Sequence, residues 1–188
     1  MIEIRIHGRG GQGVVLASEI LAEATHKAGK YAQSLATYSP ERRGSPVQAF
    51  IRIDEKFINI RSQIYEPDCI LILDRVLLED TEDLIKGLKS GGWLIINADD
   101  IGKNLKLFTN YKVAIVDASR IAAKHNLITS SMPIVNTSIL GAFSKATKIL
   151  DLKPILEAIR ESVPAKHEEN VKAAQDAFKE VKFYGKKN

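Results

Sequence analysis

The chain has 188 residues, 45% hydrophobic and 27% charged, with a formal net charge of +4. That suits one domain over residues 1–188 with one sizeable core, and no apolar run approaches the roughly 20 residues of a membrane span. One cysteine, Cys69, excludes an internal disulfide and an iron–sulfur cluster, which needs about four thiolates, and His7, His26, His125 and His167 show no metal-ligand spacing.

Ile2, Ile4 and Ile6 alternate with Glu3, Arg5 and His7, which predicts a strand with one buried face. The N-terminus has no signal-peptide pattern, so the expected location is the cytoplasm. Next comes Gly8-Arg9-Gly10-Gly11-Gln12-Gly13, a glycine-rich strand-to-helix corner. Glycine tolerates positive φ and close approach, and a helix N-terminus favours anions. Leu16, Ile20 and Ala24 recur every four residues and predict a helix ending at Gly29. Tyr31 to Ala36 reads as a second strand.

The stretch from Thr37 to Pro46 holds two prolines, Gly44 and the adjacent Arg42 and Arg43. It has no helical or strand period and predicts an ordered functional loop. Arginine's planar fork suits phosphate or carboxylate. Residues 47–53 and 56–60 suggest an antiparallel hairpin turning at Asp54-Glu55.

Cys69 to Leu73 is fully apolar, as expected of a strand buried on both faces. Within it Cys69 reads as a small buried hydrophobe. A helix over 76–89, a strand over 93–96, a strand over 113–116 and a helix over 118–125 follow. The alternation predicts an α/β fold: one mixed, mostly parallel sheet with helices on both faces. From Pro133 the pattern is all helical, giving a helical C-terminal part over 132–188. One helix starts at Pro133, a second runs over 154–163 and a third from Ala165 to about Phe183. The basic tail from Lys182 to Lys187 has no aromatic-interleaved patch behind it, so nucleic acid is not an expected partner. The mild basic excess equally fits an anionic small ligand or an acidic partner.

Gly8, Gly10 and Gly13 satisfy the dinucleotide fingerprint letter for letter, but no acidic residue ends the second strand to hold a ribose. A packing corner alone has no need of Arg9 and Gln12. Asn136, Thr137 and Ser138 lie in the first turn of an apolar helix, where local hydrogen bonding is their habit. Lys166 and Asn170 read as an ordinary solvated face. No C-x-x-C, nucleophile elbow, P-loop or thiamine diphosphate motif is visible, so the chain holds no self-contained catalytic set.

Three stretches carry a family resemblance: the glycine corner Gly8 to Gly13, the loop Tyr38 to Val47, and Asn136 followed by Leu140-Gly141-Ala142. In this order they resemble the gamma subunit of 2-oxoacid:ferredoxin oxidoreductases, with both loops similar to the pyruvate type. The resemblance implies a complex that oxidatively decarboxylates a 2-oxoacid, forms acyl-CoA and reduces ferredoxin, or runs the reverse synthesis. It implies partners of alpha, beta and delta type. Those partners would hold thiamine diphosphate, magnesium and the iron–sulfur clusters. This chain would be non-catalytic and help cover coenzyme A, with Gly8, Arg9, Gly10, Gly11, Gln12, Gly13, Glu41, Arg42, Arg43, Gly44 and Asn136 as contact residues. The other readings are a free-standing nucleotide-binding protein and a purely structural subunit.

Overall fold

A computed structural model describes residues 1–37, 45–100, 102–129 and 132–184 of the chain. Its strands are β1 (Ile2–Arg9), β2 (Tyr31–Thr37), β3 (Pro46–Asp54), β4 (Cys69–Ile72), β5 (Trp93–Asn97), β6 (Lys112–Val116) and β7 (Lys182–Tyr184). Its α-helices are α1 (Val14–Lys27), α2 (Thr81–Ile85), α3 (Ala118–Lys124), α4 (Asn136–Thr147), α5 (Leu152–Ser162) and α6 (His167–Glu180). The strands form one seven-stranded sheet in the order β2-β3-β1-β4-β5-β6-β7. β1, β4, β5 and β6 are parallel, the last three being apolar runs, and β3, β2 and β7 add antiparallel pairs at the two sides.

The larger core lies between one sheet face and α1, α3, α4, α5 and α6. α4 is buried on nearly all sides, from Asn136 through Ser144, so it reads as a helix inside the core rather than on it. Gly141 makes that possible. A Cβ at this position would stand 1.9 Å from the Ala174 carbonyl oxygen of α6, so the two backbones touch where a side chain is missing. A smaller core, built on Ile70, Ile72, Leu94, Ile96 and Phe108, fills the opposite face of the parallel strands.

Four expectations are corrected. β1 is buried on both faces, with Arg5 and His7 only 8% and 5% exposed. Arg5 Nε donates to His7 Nε2 at 2.9 Å, and its Nη2 donates to the carbonyls of Leu84 and Lys86, each at 2.9 Å. Arg52 of β3 is buried beside it, paired with Glu3 at 2.9 Å and donating to Ser62 O and Gln63 O. Backbone carbonyls of α2 and of the loops satisfy these guanidiniums, so a polar face is a buried face here.

The hairpin is β2–β3, not 47–53 with 56–60. β3 already pairs with β2 on one edge and β1 on the other, and a strand has no third edge. The expected helix 76–89 is a 3-10 segment (Arg75–Asp80) followed by the short α2. It cannot run on to 89, because Gly87 has φ +81° with its α-carbon against the Tyr65 carbonyl. Finally, the C-terminal part is not all helical. α6 ends at Glu180 and β7 returns to the sheet beside β6, with Phe183 edge-on to Trp93 at 6.2 Å.

Candidate functional site

β1 and β4 are adjacent and parallel, yet the segments that follow them leave on opposite faces: α1 packs in the larger core, and the 3-10 segment packs in the smaller one. Ligands of open α/β sheets collect at the carboxyl ends of strands at such a switch point. The glycine corner sits there.

Each glycine has its own reason. A Cβ on Gly8 would stand 2.6 Å from Val14 Cγ2 and 3.1 Å from Gln12 Oε1. Gly11 and Gly13 have φ of +101° and +77°, where L side chains are strained. Gly10 has no positive φ; its N–H donates to Ser45 O at 3.0 Å and ties the corner to the start of β3. Gly13 is the N-cap of α1, and no side chain caps that helix.

Gln12 folds back under the corner, only 6% exposed. Its Oε1 accepts from Arg9 N–H at 2.7 Å and its Nε2 donates to Asp74 Oδ2 at 2.7 Å. Arg9 Nε donates to the same oxygen at 2.6 Å. Asp74 follows β4 and accepts from Val76 N–H at 3.0 Å through its other oxygen. One carboxylate therefore locks the glycine corner to the 3-10 segment across the switch point. Among the described residues nothing hydrogen-bonds Arg9 Nη1 or Nη2, and its side chain keeps 35% of its surface exposed.

These groups border a cleft of about 420 Å³ that continues along Asn97, Asp99, Asp117 and Ser119 at the ends of β5 and β6. Asn97 Nδ2 donates to Leu73 O at 2.8 Å and to Ser119 Oγ at 3.0 Å, which joins the strand ends. The described rim carries Arg9 and Arg75 against Asp74, Asp99 and Asp117, and Arg75 pairs with Asp99 at 3.0 Å. Asp74, Asn97 and Ser119 were not singled out from sequence. The available signal was position: Asp74 stands directly after the most apolar strand, where a polar group meets the cleft.

Asn136 comes to the same corner but from beneath. It is 1% exposed, its Oδ1 accepts from Thr137 N–H at 2.9 Å, and its Nδ2 has no partner among the described residues. That carboxamide packs on Gly13, where a Cβ would stand 2.4 Å from Nδ2. Asn136 also borders a separate apolar hollow of about 220 Å³ with Leu16, Ile134, Pro164, Lys166 and Asn170. Of the two residues read as a solvated face, Lys166 is exposed and Asn170 is not. Asn170 is 6% exposed, accepts from Thr137 Oγ1 at 2.9 Å and donates to Lys166 O at 2.9 Å, while the Lys166 ammonium donates to Asn126 O.

Thr37 ends β2 and pairs near Gln48, while Arg9 pairs with Pro46. β2 and β1 are not neighbours, since β3 lies between them, but both run antiparallel to β3 and so point the same way. Thr37 and Ser45 thus lie at the glycine-corner end of the sheet. The stretch between them, with Glu41, Arg42, Arg43 and Gly44, lies outside the described residues. This topology also removes the dinucleotide reading, because the strand after α1 must lie beside β1 in that fold and here it does not. Cys69 is fully buried, and burial pushes its thiol pKa well up, away from nucleophile behaviour.

The family model for pyruvate ferredoxin/flavodoxin oxidoreductase matches residues 3–180. The chain belongs to this family. Among family relatives, the chain is 49% identical to the pyruvate/ketoisovalerate oxidoreductases common subunit gamma of Thermococcus kodakarensis, covering 98% of this chain and 99% of that one. It is 44% identical to pyruvate synthase subunit PorC of Methanocaldococcus jannaschii, over 98% of this chain and all of that one (100%). In structure this family member is similar to the pyruvate oxidoreductase subunit PORC of Thermotoga maritima, with a TM-score of 0.82, 33% identity and 97% of each chain covered. It is also similar to a keto/oxoacid ferredoxin oxidoreductase gamma subunit from Geobacter sulfurreducens, with a TM-score of 0.72 and 28% identity over 95% of this chain and 97% of that one. Among the described residues no helix is long and apolar enough to cross a membrane, and no group of three or more His, Cys, Asp or Glu is placed to hold a metal ion.

Proposed function

We propose that this chain is the non-catalytic gamma subunit of a cytoplasmic oxidoreductase. The reaction converts pyruvate or a branched 2-oxoacid and coenzyme A to acyl-CoA, with electrons passed to ferredoxin, or its reverse. Alpha-, beta- and delta-type subunits carry thiamine diphosphate, magnesium and the iron–sulfur clusters. The end-to-end likeness to relatives named as gamma and PorC subunits supports the assignment. So does the chemistry of the chain, whose one cysteine is buried where no cluster could use it. Residues 1–188 serve as one unit of the assembly.

The observation that carries a ligand role is the way Arg9 is held. Asp74 fixes the guanidinium through Nε, and the Nη pair keeps no partner among the described residues. A preset fork at an uncapped helix N-terminus suits one anionic group. Coenzyme A carries several phosphate charges, and the described rim has more carboxylates than guanidiniums. Arg42 and Arg43 are therefore the residues that would supply the remaining positive charge.

Arg9→Lys keeps a cation beside Asp74 and loses the fork. In the assembled complex it should raise the Michaelis constant for coenzyme A about tenfold, from the roughly 1.5 kcal/mol of one charged hydrogen bond. Arg42→Ala and Arg43→Ala should do at least as much, and the constant for the 2-oxoacid should stay put. Unchanged coenzyme A dependence in all three variants would return these arginines to a structural role. The subunit assignment is tested separately. The purified chain should show no 2-oxoacid oxidation with thiamine diphosphate, coenzyme A and a viologen, and native extract should yield it together with larger subunits. Turnover by the chain alone, or elution free of partners, overturns that assignment.

A further inference from the structure

The sheet face that carries His7 opens on a second cavity, of about 320 Å³, which shares no lining residue with the cleft at Arg9. His7 of β1 and Gln48 of β3 are direct cross-strand partners, so their side chains stand on the same face, and both border this cavity. Neither is satisfied. His7 is 5% exposed, and with Nε2 accepting from Arg5 its Nδ1 carries a proton that meets no acceptor among the described residues. A donor held this deep is costly to leave unmade. The Gln48 carboxamide offers both donors and an acceptor, and it too makes no hydrogen bond among the described residues. Val76 and Leu77 give the cavity an apolar wall, and Glu79, Asp80 and Asp83 form its rim. Although the chain carries a net charge of +4, residues 79–83 read Glu-Asp-Thr-Glu-Asp. Among the described residues no lysine or arginine forms an ion pair with Glu79 or Asp80.

The chemistry narrows the occupant. Carboxylates at the mouth repel a phosphate or carboxylate ligand. Among the described residues no three His, Cys, Asp or Glu are placed to hold a metal ion, and His7 Nδ1 offers a proton, not a lone pair. A donor on His7 beside a donor and an acceptor on Gln48 matches a peptide backbone. An acidic rim matches a basic side chain next to that backbone. We propose that this cavity receives an extended, basic segment of a larger subunit of the complex. One backbone carbonyl of the segment accepts from His7 Nδ1–H, and the next amide pairs with Gln48. A lysine or arginine lays its stem on Val76, which is 45% exposed, and brings its charge to Glu79, Asp80 and Asp83. The proposal rests on the subunit reading above and adds to it a docking face on the smaller-core side of the sheet. Complementary charge at such a rim favours the right partner and speeds its association.

The test uses the assembled complex, captured through a tag on a larger subunit, with retention of this chain measured against salt. Glu79→Lys combined with Asp80→Lys should weaken retention about a hundredfold, and Gln48→Ala about tenfold. Glu19→Lys combined with Glu169→Lys makes the same charge change at exposed positions of α1 and α6, over the opposite sheet face, and should change little. Wild-type retention should fall as salt rises, because rim charges are screened. Amides over 76–83 should gain protection on assembly. Equal retention of the wild type and the Glu79→Lys, Asp80→Lys chain overturns the docking face and leaves the subunit assignment standing. A wild type that is never retained overturns both. Two further outcomes overturn the docking face by giving it another occupant. Self-association of the pure chain, abolished by the same two substitutions, assigns it to a second copy. Protection over 76–83 that is present in the isolated chain and lost on Arg42→Ala with Arg43→Ala assigns it to the chain's own arginines.

Discussion

Gly141→Ala is expected to lower the melting temperature by roughly 6–12 °C. The added methyl would sit 1.9 Å from the Ala174 carbonyl oxygen, and the obstacle is backbone, not the end of a flexible side chain. α4 and α6 must therefore separate, and both line the larger core. Overpacking typically costs about 1–3 kcal/mol, and a backbone collision belongs at the upper end. Each kcal/mol is worth about 2–4 °C in a chain of this size. Gly29→Ala is the comparison. Gly29 has φ +77° but nothing within 4 Å of a Cβ, so it bears only the left-handed strain of about 1–2 kcal/mol. Thermal melts of the two variants separate collision from conformation. If Gly141→Ala melts no lower than Gly29→Ala, the two helices are not in backbone contact.

The second large effect is a loss of stability in acid that depends on His7. Burial, with the neighbouring Arg5 charge adding to it, lowers the His7 pKa from 6.5 to about 3. Arg5 Nε donates to Nε2, so the neutral ring carries its proton on Nδ1. The folded pKa lies below the unfolded one, so the unfolded chain takes up a proton first as pH falls. His7 therefore contributes its full stabilisation above pH 6.5 and loses it progressively down to about pH 3. Between pH 7 and pH 4.5 the loss from this group alone is about 2.5 kcal/mol. His7→Gln keeps an acceptor for Arg5 and removes the titration. Urea midpoints measured at both pH values should fall further for the wild type than for the variant, and parallel falls would mean that His7 is not held neutral.

His7 also shows where sequence reading stops. Alternation of Ile2, Ile4 and Ile6 with Glu3, Arg5 and His7 correctly marks a strand, and it wrongly implies a wet face. The carbonyls that satisfy Arg5 come from Leu84 and Lys86, far along the chain. The strands β4, β5 and β6 were legible as buried on both faces because their runs are apolar, as Cys69 to Leu73 is. The glycine corner was legible because its backbone conformation limits which residues can occupy it. Strand order was not, since nothing local in Val47 to Ile53 says that this strand slips between β1 and β2. β7 was missed because three residues are too few to carry a period. Among the candidate site residues, Arg9 and Gln12 were picked out by their chemistry, but their common partner Asp74 lies 65 and 62 positions away and becomes visible only in the fold.

β2 and β3 are consecutive, adjacent and antiparallel. The two feet of their connection are held by independent ladders, Thr37 opposite Gln48 on one side and Pro46 opposite Arg9 on the other. Loop entropy changes only slowly with length, so residues can be added to or removed from the tip at small cost. Asp74 holds Arg9 from the β4 side, while the glycine corner meets the second foot directly, through Gly10 N–H to Ser45 O at 3.0 Å. Grafting one family member's segment onto another is then a matter of matching two anchored ends, Thr37 on β2 and Pro46 on β3.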